Sequence, residues 1–342
     1  MPERLDVASV DPVWHQIVDD ARWAPSPHNT QPWFVKPLSP EEAELYAVRE
    51  RLLPVEDPDG RFATAAQGIF LEALEVAAAR LGLTIATQLE FPKLGVDAVE
   101  RPLVARLRLV ARTEPTRFAA PLLRRRRTSR IPFDGRPVDP TTLRDLSSIA
   151  AEVGHQATFT SDPALVDWVV SLNVDTVFYD LDEDDRRREI GSWTHESERA
   201  ARARGDGFSP RSLGFPAPVV RLFFRHHGVF RPRPIRAVAR KLYLRSARGT
   251  ATVGWIAGAW STPSDWLTAG RMLLRYWLAL TERGLYSQPF GSVITSPRAH
   301  ARLTERLRIR EAGREVWLLL RIGSGPEPPR SVRRPLTDIL AL

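Results

Sequence analysis

A chain of 342 residues is long enough to bury a sizeable core and to hold two or three domains or one large fused unit. It has no cysteine, which excludes disulfides, thiolate nucleophiles, thiolate zinc sites and iron–sulfur clusters, so any redox chemistry needs a borrowed cofactor. The 49 Lys and Arg against 41 Asp and Glu leave a formal charge of +8, suited to something anionic: a phosphate, a nucleic acid or an acidic membrane surface.

Residues 1–10 carry Glu3, Arg4 and Asp6 where a secretory leader needs a basic start and an apolar run, and the chain reads as cytoplasmic. Asp11 is placed to cap a helix over 12–24, with Pro12 at its first position and Val13, Ile17, Val18 and Ala21 on one face. After a proline-rich loop come short strands at 33–36 and 45–48, a turn at 57–60, an alanine-rich helix at 63–81 stopped by Gly82, and strands at 84–91 and 104–110. From about residue 113 the spacing predicts helices over 140–153, 163–179 and 184–204, with a short strand at 158–160. Residues 207–250, rich in Pro, Gly and Arg, read as an insertion or lid with one basic helix at 235–245. A strand at 251–257, helices at 264–283 and 297–307, a strand at 315–322 and an extended tail complete the chain. Both halves hold a long helix ending at glycine beside strand pairs, the order expected of a diverged duplication.

Four separated segments have the chemistry to hold a phosphorylated aromatic group. In the first, Ser26-Pro27-His28-Asn29-Thr30-Gln31-Pro32-Trp33, prolines stiffen a loop of short polar side chains, and an Asx-turn with a docked Trp accounts for it equally well. The second places Arg126, Thr128 and Arg130 on alternate positions, so an extended backbone aims all three one way; taken alone, an arginine cluster is more often a solvated face. In the third, Arg271 and Arg275 lie a turn apart on a helix that ends at Gly284, followed by Pro289, Phe290 and Gly291; an ordinary glycine cap with surface arginines reads as well. The fourth, Arg330-Ser331-Val332-Arg333-Arg334-Pro335, reaches a phosphate or is merely a basic end.

Together the segments resemble the FMN-dependent nitroreductase family. Ala24 to Trp33 looks like that family's flavin-contacting loop, Arg126-Arg127-Thr128-Ser129-Arg130 its basic segment, Gly284 to Gly291 its glycine turn, and Arg333-Arg334-Pro335-Leu336 its basic tail. Ordinary members are short homodimers in which the basic segment precedes the loop and each flavin site borrows the partner's loop. Here the loop comes first and each motif occurs once, a layout similar to the long mycobacterial Acg-like branch, to which Asp265-Trp266-Leu267 also corresponds. The resemblance implies an α+β nitroreductase-like fold of two diverged halves, 1–112 and 113–342, fused as an intrachain pseudo-dimer, each an antiparallel-rich sheet flanked by helices, with 207–250 a lid. It implies one FMN per chain, NAD(P)H as electron donor, a small organic substrate and a monomer.

By the same resemblance Arg126, Thr128 and Arg130 hold the flavin, with Arg130, helped by Arg271 or Arg275, stabilising the anionic reduced ring. Arg333, with Arg330 and Ser331, grips the phosphate, the Gly291 amide faces N5, and Ser26, Pro27, Asn29 and Gln31 close the site from the other half. His28 protonates a product or, the favoured reading, supports the loop. His226-His227 reads as a surface pair and no metal is expected. Other readings are a flavin-sequestering protein without useful turnover and a biosynthetic FMN-dependent dehydrogenase or oxidase. From Gly207 to Ser264 there is no Asp or Glu but ten Lys or Arg among aromatic and aliphatic residues. A lid packed on the core is favoured there over membrane contact through 219–248, and nucleic acid is not favoured.

Overall fold

The computed structural model describes residues 12–309 and 313–341; residues 1–10 and the predicted cap Asp11 lie outside them. The first helix, α1 (Pro12–Ala21), buries Trp14, Ile17, Val18 and Ala21, one face at helical spacing. Strands β1 (Trp33–Pro37) and β2 (Glu42–Ala47) follow, then α2 (Arg61–Ala79), β3 (Leu83–Leu89) and β4 (Leu103–Ala111). They form one antiparallel sheet in the order β1-β2-β4-β3.

Beyond it come α3 (Pro121–Arg125), α4 (Pro140–Ala151), β5 (Gln156–Thr160), α5 (Pro163–Asp182), α6 (Asp184–Ser192), α7 (Glu198–Arg204), α8 (Pro210–Leu213), α9 (Ala217–Arg225) and α10 (Arg233–Ser246). The chain then runs through β6 (Thr252–Gly258), α11 (Pro263–Glu282), β7 (Tyr286–Pro289), α12 (Gly291–Thr295), α13 (Pro297–Leu307) and β8 (Glu315–Gly323). The second sheet is also antiparallel, ordered β5-β6-β8-β7. Each half therefore repeats strand, strand, long helix, strand, strand with identical neighbour order; the second half spends helices α5 to α10 on the connection that the first makes with a short turn.

The long helices α2 and α11 pack on each other at glycine. A Cβ on Gly68 would lie 2.1 Å from the Leu267 carbonyl oxygen, and one on Gly270 would lie 1.9 Å from that of Ala65. Residues 65 and 68 of one helix answer 267 and 270 of the other, the reciprocal contact that a two-fold relation produces. Helix α2 is apolar and long enough to cross a bilayer by composition, yet it is buried here as a core helix. The main core draws on both halves, from Trp14, Trp33 and Phe70 to Trp260, Trp277 and Trp317. The tail also returns to the first sheet: Val35 donates to the Ile339 carbonyl at 2.7 Å and accepts from the Ala341 amide at 2.8 Å, extending the open edge of β1.

Three local expectations are corrected. The helix predicted over 184–204 is two, because the chain breaks at Trp193 to bridge Thr194 with Phe208, and Ser197 then caps α7 by accepting from the Ala200 amide. The segment 207–250 holds α8, α9 and α10 rather than one helix. The glycine turn after α11 contains a strand, β7, on the edge of the second sheet.

Candidate functional site

The loop after α1 is held in a conformation its residues do not favour. His28, Asn29 and Gln31 have φ of 48°, 57° and 53°, each at a cost of about 1–3 kcal/mol that the surroundings must offset. They do so by hydrogen bonding. Ser26 Oγ accepts from the Gln31 amide at 2.8 Å. Asn29 Nδ2 donates to the Gly207 and Val332 carbonyls, and its Oδ1 accepts from Arg333 Nη1 at 2.9 Å. Gln31, fully buried, donates from Nε2 to the carbonyls of Asn29 and Gly205, and its Oε1 accepts from the Arg334 amide. The polar atoms of Asn29 and Gln31, read from sequence as ligand contacts, thus knit the loop to the second half, while Trp33 stacks on Phe70 at 4.5 Å.

The basic segment runs extended alongside β7: Thr128 bridges Ser287, and the Ser129 amide donates to the Ser287 carbonyl at 3.0 Å. Alternation then puts Arg126, Thr128 and Arg130 on one side. Arg126 and Arg127 are buried, so this is not a solvated face. The Arg126 guanidinium lies 5.1 Å from the Trp277 ring, its Nε has no partner, and burial together with Arg127 pushes its pKa down to about 9. Arg130 lies 4.7 Å from the Phe208 ring and donates to the Ser212 carbonyl at 3.3 Å; burial lowers its pKa too. Among the described residues neither has a carboxylate at ion-pair distance.

His28 approaches the same Phe208 ring at 5.2 Å, so loop and basic segment meet at one ring. Its Nε2 faces Glu56 Oε2 at 2.9 Å and its buried Nδ1 has no partner. Burial opposes the imidazolium, but Glu56, with Glu189 behind it, outweighs burial and raises the His28 pKa, while Arg130 works against the rise. Glu56 is correspondingly lowered by His28 despite its own burial.

The other expected residues divide. Gly291 is exposed, and a Cβ there would meet nothing within 4 Å, so its backbone is open to approach; Phe290 before it is buried and Pro289 ends β7. Arg330 lies 5.0 Å from the Trp23 ring. Arg333 is fully committed: its five N–H groups donate to the carbonyls of Arg22, Trp23, Ala24 and Val332 and to Asn29 Oδ1, which leaves none for a phosphate. Arg275 grips Glu72 of α2 through Nε and Nη2 at 2.7 and 3.1 Å, and Arg271 lies 3.8 Å from the same carboxylate. These two join the halves across the helix pair, and the single Glu72 carboxylate answers Arg275 directly and Arg271 at longer range. His227 is buried and bonded to Asp182 at 3.0 Å, which corrects its reading as a surface residue.

Sequence reasoning missed Phe208, the ring that His28 and Arg130 both approach, and Glu56; it placed Arg334 in the basic tail without a role of its own. Arg334 donates to the carbonyls of Gln31 and Trp33. The turn Gly205-Asp206-Gly207 accepts from the side-chain amides of Asn29 and Gln31, and nothing local in the sequence marks it for that task.

No family model matches the chain. Among curated proteins it is similar to two from Mycobacterium tuberculosis strains, "Putative NAD(P)H nitroreductase Rv3131" and "Putative NAD(P)H nitroreductase MT3217", each 27% identical over 328 residues that cover 93% of this chain and 88% of theirs. Among solved structures it is similar to an FMN- and NADPH-dependent nitroreductase NfnB from a "sphigopyxis" strain (TM-score 0.39, 18% identity, 65% of this chain and 97% of that one). It is also similar to NfnB from Mycobacterium smegmatis in complex with NADPH (TM-score 0.37, 14% identity, 64% and 94%). Structural likeness at that level adds nothing about chemistry. The sequence similarity runs nearly end to end, and it bears out the resemblance to the nitroreductase family, on the side of its long mycobacterial members, that the four motifs carry.

Proposed function

We propose that this chain is an FMN-dependent oxidoreductase of the nitroreductase kind, passing hydride between NAD(P)H and a small organic molecule, with one flavin at the junction of its two halves. The observation that carries the reading is the pair of buried guanidiniums, Arg126 and Arg130, unanswered by any described carboxylate. A buried charge is costly without a partner, and a phosphate or an electron-rich ring carbonyl supplies what is missing. The residues present fit FMN on that ground.

Bound FMN would supply the hydride chemistry, taking up and releasing two electrons. Arg126, with Thr128 beside it and Arg330 at the tail, would bind the phosphate or ribityl end. Arg130 would stabilise negative charge at the pyrimidine edge. The Gly291 amide would point at the ring where no side chain intervenes. Phe208, which both His28 and Arg130 approach, would border the flavin at the junction. Glu56 favours the protonated form of His28, whose buried Nδ1 has no protein partner among the described residues. Ser26 and Pro27 would border the ring, and Asn29, Gln31 and Arg333 would act by holding the loop. Arg271 and Arg275 would contribute only through Glu72.

In this reading the halves 1–112 and 113–342 form an intrachain pseudo-dimer that needs no partner, the 207–250 segment is a lid, and the protein works in the cytoplasm. The test is the absorption spectrum of the purified protein, followed by stopped-flow mixing with NADH or NADPH and then a nitroaromatic or a quinone. Flavin bands that bleach and return support the enzyme. A colourless protein that takes up no FMN removes the cofactor, and a bound flavin that neither donor bleaches makes the chain a flavin-sequestering protein.

A further inference from the structure

Half of the exposed large apolar side chains among the described residues fall in one stretch of 24 positions: Val219, Leu222, Val229, Ile235, Val238 and Leu242, six of twelve. On α10, Ile235, Val238 and Leu242 stand at i, i+3 and i+7, one outward stripe, with Val238 61% exposed. The opposite side of the segment is tied down by ion pairs. Arg236 holds Asp182 through two nitrogens, Arg240 meets Asp175 at 2.7 Å, and Arg225 grips Glu196. Lys241 and Arg245 border the apolar stripe, are exposed, and have no carboxylate partner among the described residues.

We propose that the outer face of α9 and α10 docks on an anionic membrane surface, with the aliphatic stripe entering the headgroup region and Lys241 and Arg245 meeting lipid phosphates. An exposed apolar stripe edged by unpaired cations is the arrangement that shallow interfacial binding requires, since the two attractions act together at one depth. A second copy of the chain fits poorly there. From Gly207 to Ser264 no Asp or Glu exists to answer the facing cations, so a symmetric contact would set like charges together. A nucleic acid would satisfy the cations and leave the aliphatic stripe without a partner. The same segment touches the candidate site from its inner side, where Ser212 accepts from Arg130, so docking would hold that site next to the bilayer.

The experiment is flotation of the full-length protein with phosphatidylcholine vesicles, with and without phosphatidylserine, at low and physiological salt. Capture by the serine-containing vesicles alone, weakened by salt, is expected. Val238→Asp with Leu242→Asp should lower capture at least about tenfold, and so should Lys241→Glu with Arg245→Glu, a pair of exposed positions whose exchange leaves the melting temperature in place. The proposal is overturned by absence of capture, by capture that both double variants retain, by retention of duplex DNA without vesicle binding, or by light scattering that shows a dimer dissolved by the Val238 and Leu242 changes. None of these readouts depends on flavin, so docking stands or falls apart from the proposed activity.

Discussion

Arg126 combines deep burial with a positive charge and, beyond the Trp277 ring, a single weak side-chain hydrogen bond, to Thr128 Oγ1 at 3.5 Å. Replacing it by an apolar side chain of similar length, Arg126→Met, removes a charge that costs the ligand-free protein free energy. Flavin-free Arg126→Met should therefore melt at or above the wild-type temperature, with a gain of about 1–3 kcal/mol, while FMN affinity falls at least about tenfold. Calorimetry of the flavin-free protein and flavin titration read the two effects separately; a drop in melting temperature with unchanged affinity would count against the site. His28 and Glu56 make a second case. The His28 pKa is raised on folding and that of Glu56 is lowered, so their mutual stabilisation is complete only between the two unfolded-state values. The His28 part is fully present below about pH 6.5 and is lost as pH climbs through the raised folded-state value. The Glu56 part is present above about pH 4.3 and is lost as pH falls through the lowered one. Glu56→Gln should thus cost most near pH 6 and progressively less toward pH 9 in urea denaturation; a constant penalty across that range would reject the pairing. The loop's residue types were legible in the sequence, but the tasks of Asn29, Gln31 and Arg333 were not. The acceptors of Asn29 and Gln31 at Gly205, Gly207 and Val332, and those of Arg333 at Arg22, Trp23 and Ala24, lie far along the chain, and no local spacing announces them.

Elements with strong periodicity or clear punctuation were readable, and those fixed by distant contacts were not. Helix α13 matches its expected span because Pro297 opens it and its apolar spacing ends at Leu307. Helix α9, nine residues starting beside Pro216 and Pro218, reads as loop; tertiary packing that buries Val220 gives it a place. The same dependence makes the α2–α11 crossing the most sensitive contact between elements. A methyl at Gly270 would stand 1.9 Å from a backbone oxygen that cannot rotate away. Gly270→Ala should separate the helices and strain the Arg275–Glu72 pair beside them, costing about 1–3 kcal/mol or more, although alanine favours a helix over glycine by roughly 1 kcal/mol. Thermal melts of Gly270→Ala and Gly68→Ala check this, and a neutral or stabilising result for both would mean the helices are not in close contact.

The likeness of the two sheets shows at the level of the whole chain as an order of elements, the same strand order in each, although no repeated residues betray it. The main thing the sequence hid is that the tail belongs to the first half. After β8 the chain crosses back, Arg333 gathers the carbonyls at the end of α1, Arg334 gathers those of Gln31 and Trp33, and residues 339 and 341 bond to Val35. Two accounts of Arg333 follow, and they differ in what they predict. As a phosphate ligand it would matter only when flavin is present, and Arg333→Lys, which keeps the charge, would be mild. As the structural tie seen here, it satisfies buried carbonyls through a planar fork that lysine cannot reproduce, and each buried group left unsatisfied costs about 1–3 kcal/mol. Arg333→Lys should then lower the melting temperature of the flavin-free protein by several degrees. Removing residues 330–342 should do so by far more, since it strips the partners of Asn29, Gln31 and Val35 at once from a fold whose total stability is on the order of 5–15 kcal/mol. A flavin-free protein whose melting is indifferent to Arg333→Lys would return that arginine to the phosphate.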